Sequence, residues 1–177
     1  MKNIAFFLSA QTIDKKYSEP ALELIRLCVK SGYSFVYGGS HYGLMKQAAE
    51  EVKKLKGHIT AVTWADFEKH VNREAHKIHV AKNIPERIMM ILEKSDAIIA
   101  LPGGSGTLDE ITSIIEGKKL DLHHKPIVLF NTDGFWDGLI SQYSRMYKEG
   151  FLPKKLKDLF FVSDDPEKII RFLKSNN

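Results

Sequence analysis

The chain carries a single cysteine, Cys28, in 177 residues. That excludes an internal disulfide and fits a reducing cytoplasm, the expected location. Set among Leu24, Ile25, Leu27 and Val29, Cys28 reads as a small core residue. No apolar run approaches the roughly 18 residues a membrane helix needs. The opening stretch Met1 to Leu8 ends in five apolar residues and then meets Ser9, Gln11 and Asp14. It is too short for a signal peptide and suits a first strand. Charge of one sign is also lacking: 26 Lys and Arg against 22 Asp and Glu leave a net +4. The lysines are dispersed without interleaved aromatics, so nucleic-acid binding is not expected, and Lys53-Lys54 and Lys154-Lys155 read as solvated faces. Neither glycine loop is followed by Gly-Lys-Ser/Thr, which excludes a P-loop, and no G-x-G-x-x-G dinucleotide fingerprint occurs. His123 and His124 have no acidic cluster nearby, so no metal site is expected. No setting for a pyridoxal-phosphate lysine appears, and no cofactor is expected. Repeats and low-complexity segments are absent too.

What is present is an alternation of short apolar runs with helical patterns. Strands are expected over 4–8, 34–37, 59–62, 77–80, 97–101, 127–130 and 160–162. Helices are expected over 20–30 (capped by Ser18 and stopped by Gly32), 44–55, about 83–94, up to about 119, 136–148 and 166–174. The segment 63–72 reads as an irregular connection or a short helix. The pattern predicts one α/β domain over 1–177, a doubly wound, mostly parallel sheet with helices on both faces, Rossmann-like. Ligands of such folds sit at the carboxyl ends of the strands.

Two glycine loops fall there. Leu101-Pro-Gly-Gly-Ser-Gly-Thr-Leu-Asp-Glu110 joins an apolar strand to a helix. Its glycines permit close backbone approach, and the free N–H groups of the helix start suit an anion. Tyr37-Gly-Gly-Ser-His-Tyr-Gly-Leu-Met45 has the same setting, with Gly38, Gly39 and Gly43 suited to a ligand and Ser40 able to donate a hydroxyl. Read alone, Thr107 to Glu110 also fits a capping box. Arg87 also fits a solvated helix residue paired with Glu86 or Glu93, and His41 fits a loop-surface position.

Taken together, these loops resemble the Lonely Guy family of nucleoside-monophosphate phosphoribohydrolases, which also carries the label "possible lysine decarboxylase". The resemblance runs from Ile4 to about Ile170 and includes Lys125-Pro126, Asn131 to Trp136 and Glu149-Gly-Phe151. It implies hydrolysis of the N-glycosidic bond of a nucleoside 5′-monophosphate, AMP-like or with an N6-modified adenine, to free base and ribose 5-phosphate. It assigns Glu110 and Arg87 as the catalytic pair. Nucleotide contacts would map to Gly103, Gly104, Ser105, Gly106 and Thr107, with Gly39 and Ser40 on the opposite loop. It further implies a homodimer with the site near the interface, where Phe135, Trp136 and Tyr143 are candidates. A carboxylate suits this chemistry, because it can offset charge on the ribose and take a proton from water.

The chain departs from the family in three places: the helix of Arg87 lacks the family His and has Ile88 in place of Lys, the connection 63–76 follows another pattern, and so does the loop 9–11. On the Arg87 helix at least one of Met89 and Met90 is expected in the core, with the other a candidate to border a base pocket. The alternatives are a binding protein of the same fold, like molybdenum-cofactor carriers, and a transferase working through a covalent sugar intermediate.

Overall fold

The computed structural model describes residues 2–176. Seven strands form one sheet: β1 (Asn3–Phe7), β2 (Ser34–Tyr37), β3 (Ile59–Trp64), β4 (Lys77–Ala81), β5 (Ala97–Ala100), β6 (Ile127–Phe130) and β7 (Phe161–Ser163). Their order is β4-β3-β2-β1-β5-β6-β7, and every neighbouring pair is parallel. Seven helices connect them: α1 (Lys15–Lys30), α2 (Gly43–Lys54), α3 (Ile84–Glu93), α4 (Ser105–Lys119), α5 (Asp137–Lys148), the short α6 (Leu156–Leu159) and α7 (Pro166–Ser175). This is the doubly wound α/β fold expected. No helix among the described residues is long and apolar enough to cross a membrane.

Strand alternation builds two cores. Ile4, Phe6 and Leu8 point to one face, where Leu24 and Cys28 of α1, Leu44 of α2 and Ile169 of α7 cover them. Ala5 and Phe7 point to the other, beneath Ile88 of α3, Ile111 of α4 and Tyr143 of α5. Because helices cover both faces, β2, β5 and β6 are buried along their whole length, whereas the edge strand β4 exposes Lys77 and Val80. The chain leaves β1 toward the α1 face and β5 toward the α4 face. Between these neighbours a crevice opens at the carboxyl ends of the strands.

Several expectations change. The first helix begins at Lys15, not Pro20, because Asp14 caps it by accepting from Lys16 N–H at 2.9 Å. Ser18 is then a buried helical residue, and Pro20 sits inside the helix at the loss of one N–H donor. β3 runs two residues past its expected end, to Trp64, and a 3-10 helix, Ala65–His70, follows. The short α6 went unforeseen. Trp136 and Tyr143 are core residues, so of the three aromatics considered for an interface only Phe135 is exposed. Ile88 is likewise a core residue, 5% exposed.

Candidate active site

Arg87 and Glu110 meet in the crevice although they lie on different helices. On α3, the Asn83 carboxamide oxygen accepts from Glu86 N–H at 2.9 Å, and Glu86 turns back to Lys82 N–H at 2.7 Å. Glu86 is thus spent on starting the helix, and Arg87 projects inward. Its Nη1 donates to Glu110 Oε1 at 2.6 Å and its Nε to the Val62 carbonyl at 3.0 Å. Glu110 is 5% exposed. The carboxylate does not close a capping box: α4 starts at Ser105 with Gly104 as N-cap and no side chain bonded to the cap. Burial pushes the Glu110 carboxyl above the usual glutamate range, the Arg87 charge and hydrogen bond pull it back down, and the Asp109 charge adds to the rise. Removing either partner of such a buried pair strands a charge, at a cost of about 3–5 kcal/mol.

Gly38 exists for this arginine. A Cβ there would collide with Arg87 Nη2.

The cleft over the pair, of about 350 Å³, is lined on one side by Gly104, Ser105, Gly106 and Thr107. Hydrogen bonding in α4 starts with Leu108 N–H donating to the Gly104 carbonyl, so the earlier N–H groups, on residues that line the cleft, have no partner within the helix. At Gly104 and Gly106 a Cβ would meet no atom within 4 Å, so both border open space. Gly103 lies behind them, packed against the Thr107 side chain, and is not on the cleft wall.

From the first glycine loop, Ser40 lines the cleft. Gly39 is buried in a left-handed conformation (φ +81°), with its carbonyl accepting from Asn72 N–H at 2.7 Å. Gly43 packs against the backbone of Gln11. The first N–H groups of α2 are already used, Leu44 on the Gln11 carbonyl and Met45 on the Ser9 carbonyl, both at 3.1 Å. Of the two helix starts flanking the crevice, only that of α4 is free for an anion.

The remaining wall includes residues that sequence reasoning missed: Met45, Trp64, Phe67 and His70, with Ser9 and Gln11 from the loop after β1. Neither Met89 nor Met90 reaches it. Trp64 stacks on Phe67 with centroids 5.2 Å apart, and Phe67 contacts His70 at 5.6 Å. Rings three residues apart share one face of a 3-10 helix, and that spacing was the signal available in the sequence. His41 does not line the cleft; its Nδ1 lies 2.6 Å from the His70 carbonyl. His123 is buried behind α4 with Nε2 on the Ile114 carbonyl at 2.9 Å. No group of three His, Cys, Asp or Glu placed to hold a metal ion occurs among the described residues.

The family model described as "Possible lysine decarboxylase" matches residues 43–173. A probable cytokinin riboside 5′-monophosphate phosphoribohydrolase of Oryza sativa subsp. japonica is 32% identical over 161 residues, 90% of this chain and 71% of that protein. A cytokinin riboside 5′-monophosphate phosphoribohydrolase of Arabidopsis thaliana is 28% identical over the same shares. Among solved structures, the molybdenum cofactor binding protein of the phototrophic bacterium Rippkaea orientalis superposes with a TM-score of 0.72 at 22% identity, covering 98% of this chain and 96% of that one. At that identity the likeness is one of fold. With a family model over most of its length and a relative 32% identical, the chain belongs to the Lonely Guy family, described as possible lysine decarboxylases.

Proposed function

We propose that this protein hydrolyses the N-glycosidic bond of a nucleoside 5′-monophosphate, releasing a free base and ribose 5-phosphate. The observation that carries the reading is the buried Arg87–Glu110 pair, 2.6 Å apart, on the floor of a cleft that also receives the free N-terminus of α4. The 5′-phosphate would sit on the backbone of Gly104, Ser105, Gly106 and Thr107, where N–H groups and the helix dipole favour an anion. Gly103 and Gly39 shape their loops, and Ser40 offers a hydroxyl across the cleft. The ribose then lies over Glu110, one turn into α4. As the glycosidic bond breaks, positive charge grows on the sugar. The carboxylate offsets it and takes a proton from the attacking water, while Arg87 holds Glu110 in place. Burial suits this task, since a base raised toward neutrality accepts a proton more readily. Relatives named as phosphoribohydrolases of cytokinin riboside 5′-monophosphates support the same reading.

The test is a panel of nucleoside 5′-monophosphates incubated with wild type and Glu110→Gln, reading free base and ribose 5-phosphate. Wild type is expected to release base, and the variant to lose about 10²–10⁴ in rate while still binding nucleotide. An undiminished rate in Glu110→Gln would refute the role of the carboxylate. Nucleotide binding by wild type without any product would instead make the protein a carrier.

A further inference from the structure

The hydrolysis proposed above leaves one proton unassigned, because a purine departs readily only when its ring nitrogen is protonated. We infer that His70 supplies that proton, as general acid toward N7 of a purine leaving group, and that Tyr42 positions it. This assignment rests on the hydrolase reading. Among the residues lining the cleft, three side chains carry a titratable group or a fixed charge: Arg87, Glu110 and His70. A guanidinium does not release its proton in a protein, and Glu110 is engaged as the base. The imidazole of His70, which can give a proton through one ring nitrogen while the other is held, is the group left.

His70 also has the right place and the right tether. The phosphate end of the cleft is fixed by α4 and the sugar by Glu110, so the base falls toward the wall of Trp64, Phe67 and His70. His70 lines both this cleft and an adjoining cavity of about 400 Å³ that also contains Tyr42. Its backbone is pinned to the first glycine loop, where the His41 N–H donates to the His70 carbonyl at 3.2 Å. The next residue, Val71, bridges to Ser40. Its ring Nδ1 lies 3.3 Å from the Tyr42 hydroxyl, and among the described residues Nε2 has no partner. In the imidazolium form, the acid the step needs, Nδ1–H donates to the Tyr42 oxygen and Nε2–H is left for the departing base. The other charged or titratable side chains near it are His41 on the loop, Asp66, Glu68 and Lys69 on its own element, and Arg73, which pairs with Glu68.

The step balances. The C1′–N9 bond breaks and its electron pair stays on N9; the His70 imidazolium passes its Nε2 proton to N7 and becomes neutral. Water oxygen bonds C1′ and its proton goes to Glu110. Exchange with solvent then returns a proton to His70 and removes one from Glu110.

The experiment compares the purine 5′-monophosphate favoured in the panel with its 7-methyl counterpart, whose cationic base leaves without an acid. With wild type, His70→Gln, His70→Asn and Tyr42→Phe, kcat and KM are measured on both, and thermal unfolding shows that each variant folds. The His70 variants are expected to lose about 10²-fold or more in kcat on the parent nucleotide, with KM little changed. On the 7-methyl nucleotide they should stay within about threefold of wild type, and Tyr42→Phe should show a smaller loss of the same pattern. Equal losses on both nucleotides, or none on the parent, overturn the assignment while leaving the hydrolase reading standing. A panel in which only pyrimidine nucleotides react overturns it as well. Absence of base release by wild type from either nucleotide removes the hydrolase reading, and this assignment with it.

Discussion

Glu110 titrates against two opposing forces, burial raising its carboxyl and Arg87 lowering it, with burial the larger. The sign of the pH dependence follows. Below its raised pKa the carboxyl holds a proton and cannot take one from water, so kcat/KM falls on the acid side at a higher pH than an exposed glutamate would give. Arg87→Ala removes the lowering influence, so the acid limb should move to still higher pH in a pH-rate profile of whatever activity remains. Gly38→Ala should resemble it, because the added methyl occupies the space of Arg87 Nη2. A folded protein with activity reduced to the level of Arg87→Ala is the expected outcome, checked by circular dichroism beside a rate assay. At this scale the sequence was partly legible. The resemblance singled out Glu110 and Arg87, and the cleft holds both. Local spacing alone could not separate a capping box from an ion pair, since the partner lies on another helix. The need of Gly38 for Arg87 is a contact across the fold and leaves no trace in local pattern.

Helix starts in this molecule fall into two kinds. Asp14, Asn83 and Asp165 cap α1, α3 and α7 with side-chain oxygens, whereas α4 begins on a bare glycine. Gly104 has extended backbone and open space at its Cβ position, so a side chain fits there. Gly104→Asp should therefore leave stability unchanged or raise it by a few tenths of a kcal/mol. The same carboxylate would occupy the N–H groups and repel phosphate, weakening nucleotide binding about tenfold or more. Calorimetric titration with thermal unfolding reads both. Ile88 makes the converse case. It lies in the core under α3, so Ile88→Ala should cost about 2–5 kcal/mol in a denaturant titration and leave KM unchanged. The bounds of β2 and β6 were legible because uninterrupted apolar runs mark strands buried on both faces. The start of α1 was not, because Ser18 and Pro20 imitate a helix entry that Asp14 provides earlier. The 3-10 helix 65–70 follows a three-residue period that neither the helix nor the strand template detects.

On the scale of the whole molecule, buried histidine sets a pH limit on folding. Burial lowers the pKa of His123, and it lowers those of His58 and His79. A folded value below the unfolded one means the unfolded chain binds more protons between the two. Stability is then fully present above the ordinary histidine range and is lost as pH falls toward the folded value. His123→Asn keeps an N–H donor for the Ile114 carbonyl and removes the titration, so melting curves taken at falling pH should show a shallower acid decline than wild type. The overall architecture was the most legible level, since strand and helix alternate along the chain and a parallel sheet is the arrangement that buries such strands. The tie between Gly38 and Arg87 reaches further still, into descent. A lineage that discards the arginine is released from glycine at 38, and one that gains a side chain at 38 has nowhere to keep the guanidinium. The two positions should vary together, so a bulky residue at 38 in any related gene is expected beside a replaced arginine at 87.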